Sequence, residues 1–355
     1  MNNFFFYIKH LSPAYNFEKN VEILRKKNSF SKKISNIVEK NPDEFKKIKL
    51  GKKNKNKIFF VIQRQNINSG LFSNVFYVIN KLSISEKNKF IPVVDMENFS
   101  NMYSEKKKIF NTHNVWRYYF KPLSSYKLEE VYSSQNVIFT DGKWKKEMNT
   151  LPTSYKFTKL TKKYIKINDD ILKETEVFYK KNFKNKKILG IHFRGQELRY
   201  SSRHYFPATI KQMVFNTKNL IKKKKIDKIF LCTEEQKYLD IFIKEFKDKV
   251  FYYNTLRSYN KNRMYTYPRK NHRYLMGKET LIETLLLSKC NFILSTKNNV
   301  VEAARLFSKI NNNSSKIFYI NNGTNFSNPA LRRWAWHIKS FLPSFLGGFK
   351  TKIKI

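Results

Sequence analysis

The sequence contains few cysteines and no long apolar segment. Only Cys232 and Cys290 occur among 355 residues, and their spacing supports neither a disulfide framework nor a zinc site. No stretch approaches the roughly 18 consecutive apolar residues of a transmembrane helix, and the first residues, MNNFFFYIKHLSP, lack the pattern of a secretory leader. We therefore expect a reducing compartment and a cytoplasmic protein that is soluble or peripheral at the inner membrane face.

Acidic residues are also scarce. The chain has 27 Asp and Glu against 71 Lys and Arg, which gives a formal net charge of +44. Such a charge attracts the phosphates of nucleic acids, membranes or nucleotide sugars, and it does not choose among them. Because Lys, Asn, Ile and Phe are abundant together, codon bias of an AT-rich genome is an alternative origin for much of this charge.

The remaining composition and its pattern predict an α/β protein. Apolar residues make up 41% and aromatic residues 16%, and the length favours two compact units of roughly 150 residues each. Short β-branched and aromatic runs alternate with helical patterns, which is typical of parallel sheets joined by crossover helices. The predicted strands are 57–63, 90–95, 136–141, 187–194, 228–235, 249–254, 290–297 and 316–322, and the predicted helices are 71–88, 168–183, 208–226, 235–246, 278–289 and 299–310.

Polar side chains follow the predicted strand in ILGIHFRGQE, at 188–197. Ligands of open α/β sheets bind beyond the carboxyl ends of the strands, so His192, Arg194 and Glu197 are expected to face a cleft. The rigid, permanently charged fork of Arg194 suits a diphosphate, and Gly195 would let the chain turn close to a ligand. The alternative is a surface arginine that closes a strand.

A second polar cluster lies in LIETLLLSKCNFILSTKNNVVEAARLF, at 281–307, which predicts a helix, a strand, a turn and another helix. Asn298 and Asn299 fall at the start of the second helix, where backbone amides and short polar side chains can bind phosphate oxygens. Glu283 on the first helix is suited to accept hydrogen bonds from a nucleobase. The alternatives are an ordinary helix cap and an exposed helical glutamate.

These segments resemble the GDP-fucose fucosyltransferase superfamily, which includes core α-1,6, nodulation and protein O-fucosyltransferases. HFRGQE resembles the superfamily element H-x-R-[RG]-[TS]-[DE], and IFLCTEE resembles its strand ending in A-T-[DE]-[DE]. LLLSKCNFILSTKNNVVEAA resembles L-S-x-[AC]-D-F-L-[VL]-x-[ST]-x-S-[SN]-x-[VS], and SGLFSNVFYVINKL is similar to the opening G-x-F-x-N/H helix. The resemblance covers roughly residues 58 to 325.

The resemblance implies two facing Rossmann-like domains of the GT-B type and an inverting transfer of fucose from GDP-β-L-fucose to a glycan hydroxyl, without a metal or other cofactor. It implies that Arg194 binds the β-phosphate and that His192 lies near guanine. By the same comparison, Glu283 reads guanine and Asn298 with Asn299 contacts the phosphates. The resemblance adds three further nucleotide-sugar contacts, which are Gly195, Thr233 and Asn74. The chain departs from the superfamily pattern at Glu197 and Asn291, where the superfamily has Asp, and at Asn298, where it has Ser.

The absence of a metal-binding motif agrees with this expectation. No DxD sequence ends a predicted strand, and Asp169 and Asp170 are an adjacent pair in the linker region, so a metal-bridged diphosphate is not indicated. Positive side chains and helix N-termini would then neutralise the leaving GDP.

Two residues are candidates for the base that deprotonates the acceptor hydroxyl, Glu197 and His204. The alternative for Glu197 is an ion pair with Arg199 or Arg203. The alternative for His204 is a structural contact in the turn that follows.

The predicted domain limits divide the chain into an acceptor-side domain, a GDP-sugar domain and a carboxyl-terminal helix with a basic aromatic tail, at 1–160, 161–330 and 331–355. In the first domain, Asp95 and Glu97 follow a strand and are suited to bind sugar hydroxyls. The aromatic run WRYYF at 116–120 offers faces for pyranose rings, although core packing is the favoured interpretation.

The last residues and the overall charge leave two further questions. Residues 341–355 mix Phe with Lys, which predicts a segment that anchors the protein to an anionic membrane. Such an anchor suits an enzyme of polysaccharide biosynthesis that acts on a glycan or glycolipid. One alternative function keeps the fold and uses another GDP-sugar. The other is a basic nucleic-acid-binding protein, against which no helix-turn-helix, RNP or zinc-finger pattern appears.

Overall fold

The computed structural model describes residues 36–38, 45–64, 66, 69–144, 154–202, 204–259 and 268–354. Its strands form two separate sheets in which every strand pair is parallel, so the predicted α/β class is confirmed.

The chain divides into two compact units. The amino-terminal unit contains the described residues of 24–174 and 268–282, and the carboxyl-terminal unit contains those of 175–267 and 283–355. Two helices, Asp169–Asn182 and His272–Leu287, carry the chain from one unit to the other. The limits at residues 160 and 330 were predicted as the boundaries of separately folding domains, and they stay a prediction.

The amino-terminal unit contains a three-stranded sheet in the order β2-β1-β3. Its strands are runs of β-branched and aromatic residues that are almost entirely buried, as expected for a parallel sheet covered on both faces. The elements are β1 Phe59–Ile62, α1 Leu71–Lys87, β2 Ile91–Val94, α2 Trp116–Tyr119, α3 Leu128–Val131, β3 Val137–Phe139, α4 Tyr155–Tyr164 and α5 Asp169–Asn182, the last shared with the other unit.

The carboxyl-terminal unit contains a five-stranded sheet in the order β6-β5-β4-β7-β8. Its elements are β4 Ile188–His192, α6 Ile210–Lys224, β5 Lys228–Cys232, α7 Gln236–Phe246, β6 Val250–Phe251, α8 His272–Leu287, β7 Phe292–Ser295, α9 Asn299–Ile310, β8 Lys316–Tyr319 and α10 Pro329–Phe341. The first strand of this unit, β4, is central, and the chain adds strands to one side and then to the other. The strand order therefore reverses between β4 and β7, which is where doubly wound sheets bind ligands.

The centre of this sheet packs closely against α8. A β-carbon built on Gly190, in the middle of β4, would lie 2.8 Å from Cys290 Sγ and 2.8 Å from Leu287 Cδ2. Real β-carbons do not approach other atoms so closely, so glycine is what allows β4 and α8 to touch. Burial raises the pKa of the Cys290 thiol well above its usual range, which fits a thiol that only fills space.

The carboxyl-terminal segment lies along α6. Asn216 Nδ2 donates to Thr351 O at 2.7 Å, Asn216 Oδ1 accepts from Ile353 N at 3.1 Å, and Gln212 Nε2 donates to Lys350 O at 2.8 Å. Both side-chain amides are buried in the unit. The segment thus supplies hydrogen bonds that buried polar groups require, and Ile353 adds an apolar contact to the core.

Candidate functional site

His192 and Asn298 meet at the point where the strand order of the larger sheet reverses. His192 ends β4, and Asn298 is the N-cap of α9, which follows β7. Asn298 Nδ2 lies 3.2 Å from His192 Nδ1, and Ser295 Oγ donates to the backbone oxygen of His192 at 2.8 Å. The ends of two neighbouring strands are therefore tied together by polar side chains.

Asn298 presents its amide nitrogen to the ring of His192. Asn298 Oδ1 accepts from the backbone N–H groups of Val300 and Val301, at 3.1 and 3.2 Å, so Nδ2 is the atom that faces His192. An amide nitrogen can only donate, and it also donates to Thr296 O at 2.8 Å. Ser295 Oγ is a further acceptor for this nitrogen, at 3.3 Å. In the tautomer with the ring proton on Nε2, Nδ1 of His192 accepts from Asn298.

The same cap changes how α9 can bind an anion. Asn298 already occupies two N–H groups of the first turn, which leaves the helix dipole and the exposed Asn299, the first helical residue, as its contribution to phosphate binding. The structure thus brings the predicted pair to one helix terminus, with a capping role for one member.

Arg194 lies two residues beyond the end of β4, beside Glu234 at the end of β5. Arg194 Nε is 3.4 Å from Glu234 Oε1, and the arginine side chain is 26% exposed whereas that of the glutamate is 10% exposed. The carboxylate therefore attracts the guanidinium through its charge, while part of the arginine remains accessible. Glu234 was not among the predicted site residues, although the resemblance in IFLCTEE already marked its segment.

Gly195 is required for a close contact behind this arginine. A β-carbon at this position would lie 2.2 Å from Glu235 Oε1 and 2.7 Å from the Tyr238 hydroxyl. Arg199 Nη2 lies 2.5 Å from that hydroxyl and 3.4 Å from Glu235 Oε1, and its guanidinium stacks 4.5 Å from the ring centre of Trp336. The buried cluster that Arg199 forms therefore requires glycine at position 195, and the predicted approach of Gly195 to a ligand stays a prediction.

The two candidate bases differ in what the structure describes. The side chain of Glu197 lies outside the described residues, as does Arg203. Arg199, the other partner considered for Glu197, forms an ion pair with Glu235. His204 is exposed, and its backbone oxygen accepts from Asn325 N at 2.8 Å. The assignment of a base therefore stays a prediction.

Glu283 is buried on α8 and faces Arg257. Its Oε1 lies 4.0 Å from Arg257 Nη2, and the two side chains are 10% and 3% exposed. The alternative of an exposed helical glutamate is therefore wrong. Burial, followed by the charge of Glu283, raises the pKa of the nearby Cys232 thiol well above its usual range. Thr233 is also buried, and its Oγ1 accepts from Glu235 N at 3.2 Å.

In the amino-terminal unit, Asn74 binds an arginine that was not predicted. Arg64 follows β1, and its Nη1 donates to Asn74 Oδ1 at 3.1 Å and to Ser73 Oγ at 2.9 Å. Burial lowers the pKa of Arg64 to about 10, against an opposing effect of Tyr77. The guanidinium lies at the start of α1, where the first turn contains no acidic residue and Gly70 provides no side-chain cap. Two positive features at one place favour an anion.

Asp95 and the aromatic run are structural in this unit. The Asp95 carboxylate is buried and accepts from Glu97 N, Asn98 N and the Tyr132 hydroxyl. Burial raises its pKa. Within 116–120 every aromatic side chain is buried, which confirms core packing for this run.

The described residues contain no group of three His, Cys, Asp or Glu side chains that could bind a metal ion. Asp169, from the pair considered in the sequence, forms an ion pair with Lys121 at 2.8 Å.

Comparison with solved structures finds proteins of the class that the motifs resemble. NodZ α-1,6-fucosyltransferase co-crystallized with GDP matches with a TM-score of 0.47 and 17% identity, over 75% of this chain and 96% of that chain. Fucosyltransferase NodZ from Bradyrhizobium matches with a TM-score of 0.44 and 17% identity, over 71% and 94% of the two chains. POFUT1 in complex with GDP matches with a TM-score of 0.43 and 8% identity, over 74% and 99%. No family model and no curated protein matches the chain. At these scores and identities the likeness carries no functional argument.

Proposed function

We propose that the protein is an inverting, metal-independent glycosyltransferase that moves fucose from GDP-β-L-fucose to a hydroxyl of a glycan. The observation that carries the proposal is the position of Arg194, which lies beside Glu234 beyond the ends of β4 and β5. This position is next to the reversal of strand order, where nucleotides bind in doubly wound sheets.

In this proposal Arg194 binds the β-phosphate of the donor. The acceptor oxygen attacks the anomeric carbon of fucose from the side opposite the phosphate, the bond from that carbon to the phosphate oxygen breaks, and GDP leaves with the electron pair. The acceptor proton passes to the base, for which Glu197 and His204 are the candidates. Arg194 and the dipole of α9 stabilise the charge that develops on the leaving diphosphate.

His192 is proposed to contact the nucleotide through Nε2. In the proposed tautomer Nδ1 accepts from Asn298 Nδ2, 3.2 Å away, and Nε2 carries the proton and can donate to an oxygen or a ring nitrogen of the donor. Gly195 and Thr233, at the ends of the same two strands, are the remaining proposed contacts of this unit.

Guanine selection is proposed to rest on Glu283. A carboxylate can accept both the N1–H and the N2–H of guanine, whereas uracil offers no such pair. Arg257 places a positive charge beside this buried carboxylate, with its Nη2 4.0 Å from Glu283 Oε1. In the amino-terminal unit, the contact of Asn74 with the donor stays a prediction, and Arg64 adds a positive charge beside it.

The deciding experiment measures donor use and nucleotide binding together. GDP-fucose, GDP-mannose and UDP-sugars are tested for hydrolysis, while GDP and UDP are tested for protection against heat. We expect GDP to protect and GDP-fucose to be consumed fastest. Consumption of GDP-mannose alone would establish the other GDP-sugar, and salt-sensitive DNA retention without GDP protection would establish a nucleic-acid-binding protein.

A matched variant separates guanine reading from folding in that experiment. Glu283→Gln keeps the side-chain volume and removes the charge, so GDP affinity should fall while UDP affinity stays equally weak. An unchanged GDP affinity in a folded Glu283→Gln protein would remove Glu283 from the nucleotide site.

We also propose that the enzyme works at the cytoplasmic face of the membrane, on a glycan or glycolipid of polysaccharide biosynthesis. Support comes from the basic and aromatic composition of residues 341–355. Among the described residues, no helix is both long and apolar enough to cross a bilayer.

A further inference from the structure

The helix α10 exposes a continuous apolar stripe. Leu331, Trp334, Ile338 and Phe341 are spaced by three, four and three residues, which places them on one face of a helix. Their exposed fractions range from 39% for Trp334 to 90% for Phe341. We call these four residues, together with Phe345 and Leu346, the outer face.

Two more exposed apolar side chains follow the helix in the chain. A short 3₁₀ turn, Ser344–Leu346, follows α10, and it leaves Phe345 84% exposed and Leu346 59% exposed. Large apolar side chains usually occur singly on protein surfaces, whereas a contiguous group marks a binding surface.

The other side of α10 fixes its orientation. Ala335 is buried, and Trp336 Nε1 donates to Pro207 O at 2.9 Å while its ring lies over Arg199. The Tyr200 hydroxyl lies 3.1 Å from His337 Nε2. The helix therefore cannot rotate to bury the outer face against its own unit without breaking these contacts.

The segment that carries the outer face is rich in positive charge. From Pro329 to Lys354 the chain contains six Lys and Arg residues and no Asp or Glu. Lys350, Lys352 and Lys354 are exposed, while the residues between them are held against α6. The segment begins next to α10, because Phe349 N donates to the backbone oxygen of Lys339 at 3.0 Å.

We propose that the outer face inserts into the headgroup region of an anionic membrane, with α10 lying in the plane of the interface. Apolar side chains on one side of a helix with cations beside them are the pattern of interfacial helices. A second copy is a poorer occupant, since a symmetric contact would bring two acid-free basic segments together. The sequence predicted an anchor in residues 341–355 alone. In the structure α10 supplies most of the exposed apolar surface, and Thr351 and Ile353 are hydrogen-bonded to Asn216 of α6.

The inference does not depend on the proposed glycosyl transfer, so a binding experiment tests it alone. Purified full-length protein is sedimented with vesicles of phosphatidylserine and phosphatidylcholine, and with vesicles of phosphatidylcholine only. The test variant combines Trp334→Ser, Phe341→Ser and Phe345→Ser. The matched control combines Phe215→Ser and Ile243→Ser, which remove exposed apolar side chains from α6 and α7 of the same unit.

We expect the test variant to bind anionic vesicles at least about tenfold more weakly than the wild type and the control. Trp334 should also report insertion directly, as a blue shift of tryptophan emission on anionic vesicles that Trp334→Phe reduces and Trp336→Phe retains. Circular dichroism confirms that each variant is folded. Substitution is preferable to truncation after Ser340, which would also remove the backbone partners of Gln212 and Asn216.

Two results would overturn the inference. One is equal binding by the folded test variant and the wild type, which would assign any membrane affinity to charge alone or to another part of the chain. The other is a wild-type dimer in light scattering that the test variant converts to a monomer, which would make a second copy the occupant.

Discussion

The contact between Arg194 and Glu234 joins the ends of two adjacent strands and leaves the guanidinium partly accessible. If this guanidinium binds a diphosphate through two parallel hydrogen bonds, an ammonium group cannot replace it. We expect Arg194→Lys to lower kcat by about two orders of magnitude, roughly 3 kcal/mol of transition-state stabilisation, with the fold intact. Steady-state kinetics with GDP-fucose and a thermal melt measure both, and near-normal turnover would contradict the assignment.

Asn298 combines two roles that different substitutions can separate. Asn298→Ala removes the cap and should lower the free energy of unfolding by about 1 kcal/mol. Asn298→Asp retains an acceptor for Val300 and Val301 N–H, but it places a carboxylate oxygen against His192 Nδ1 and a negative charge near the proposed phosphates. We expect Asn298→Asp to retain more stability than Asn298→Ala. We also expect Asn298→Asp to bind GDP at least about tenfold more weakly than Asn298→Ala does. Calorimetry and thermal melts test both, and the opposite ranking in GDP affinity would show that only the cap matters.

Residues at strand ends could be predicted from the sequence because an apolar run followed by polar residues fixes their place in a parallel sheet. His192 and Asn298 were identified this way, and they do meet. Arg64 was not identified, because it contacts Ser73 and Asn74 only through the path of the chain between β1 and α1. The apolar pattern of β1 does not predict that path. The ion pair of Glu283 with Arg257 was missed for the same reason, since it depends on the tertiary fold.

At the scale of elements, the contact of β4 with α8 depends on one glycine. Gly190→Ala would bring a methyl group within 2.8 Å of Cys290 Sγ and Leu287 Cδ2. We expect a loss of about 1–3 kcal/mol in the free energy of unfolding. The control is Gly70→Ala, whose β-carbon would meet no atom within 4 Å and should cost less than about 1 kcal/mol. Urea unfolding measures both, and equal effects would contradict close packing at β4.

The packing of α10 should depend on pH through His337. Burial, and then the charge of Arg199, lower the pKa of His337 below its ordinary value of about 6.5. The unfolded chain therefore binds a proton more readily, so the contribution of His337 to stability is complete above about pH 6.5 and decreases as the pH falls toward the folded-state pKa. We expect the melting temperature of the wild type to fall more on acidification than that of His337→Gln. Parallel pH profiles for the two proteins would exclude this contribution.

The start of α8 and the whole of α4 were not predicted from the sequence pattern. The start of α8 was predicted at residue 278, but the helix begins at His272. Gly277 weakens the local helical pattern, and the structure explains it, because a β-carbon there would lie 2.1 Å from the Tyr119 hydroxyl. The predicted domain limit at residue 160 falls inside α4, which Ser154 caps and which packs Phe157 against Phe76 of α1.

At the scale of the whole molecule, positive charge is expected to replace a metal ion. Arg194 and the α9 terminus are cationic features at the proposed diphosphate, and the Asp169 carboxylate binds Lys121. We expect transferase activity and GDP protection to survive treatment with EDTA. Complete loss of activity that Mn²⁺ restores would contradict this expectation, whatever the donor sugar is.

The attachment of Thr351 and Ile353 to α6 has a consequence for how the protein is made. A ribosome releases residues in chain order, so the sheet of the amino-terminal unit has all its strands once residue 139 has emerged. The carboxyl-terminal unit contains α6 early, but the buried amides of Gln212 and Asn216 receive their backbone partners only after residue 353 leaves the exit tunnel. Nascent chains stalled before that point should therefore expose an incomplete carboxyl-terminal unit to proteases and chaperones.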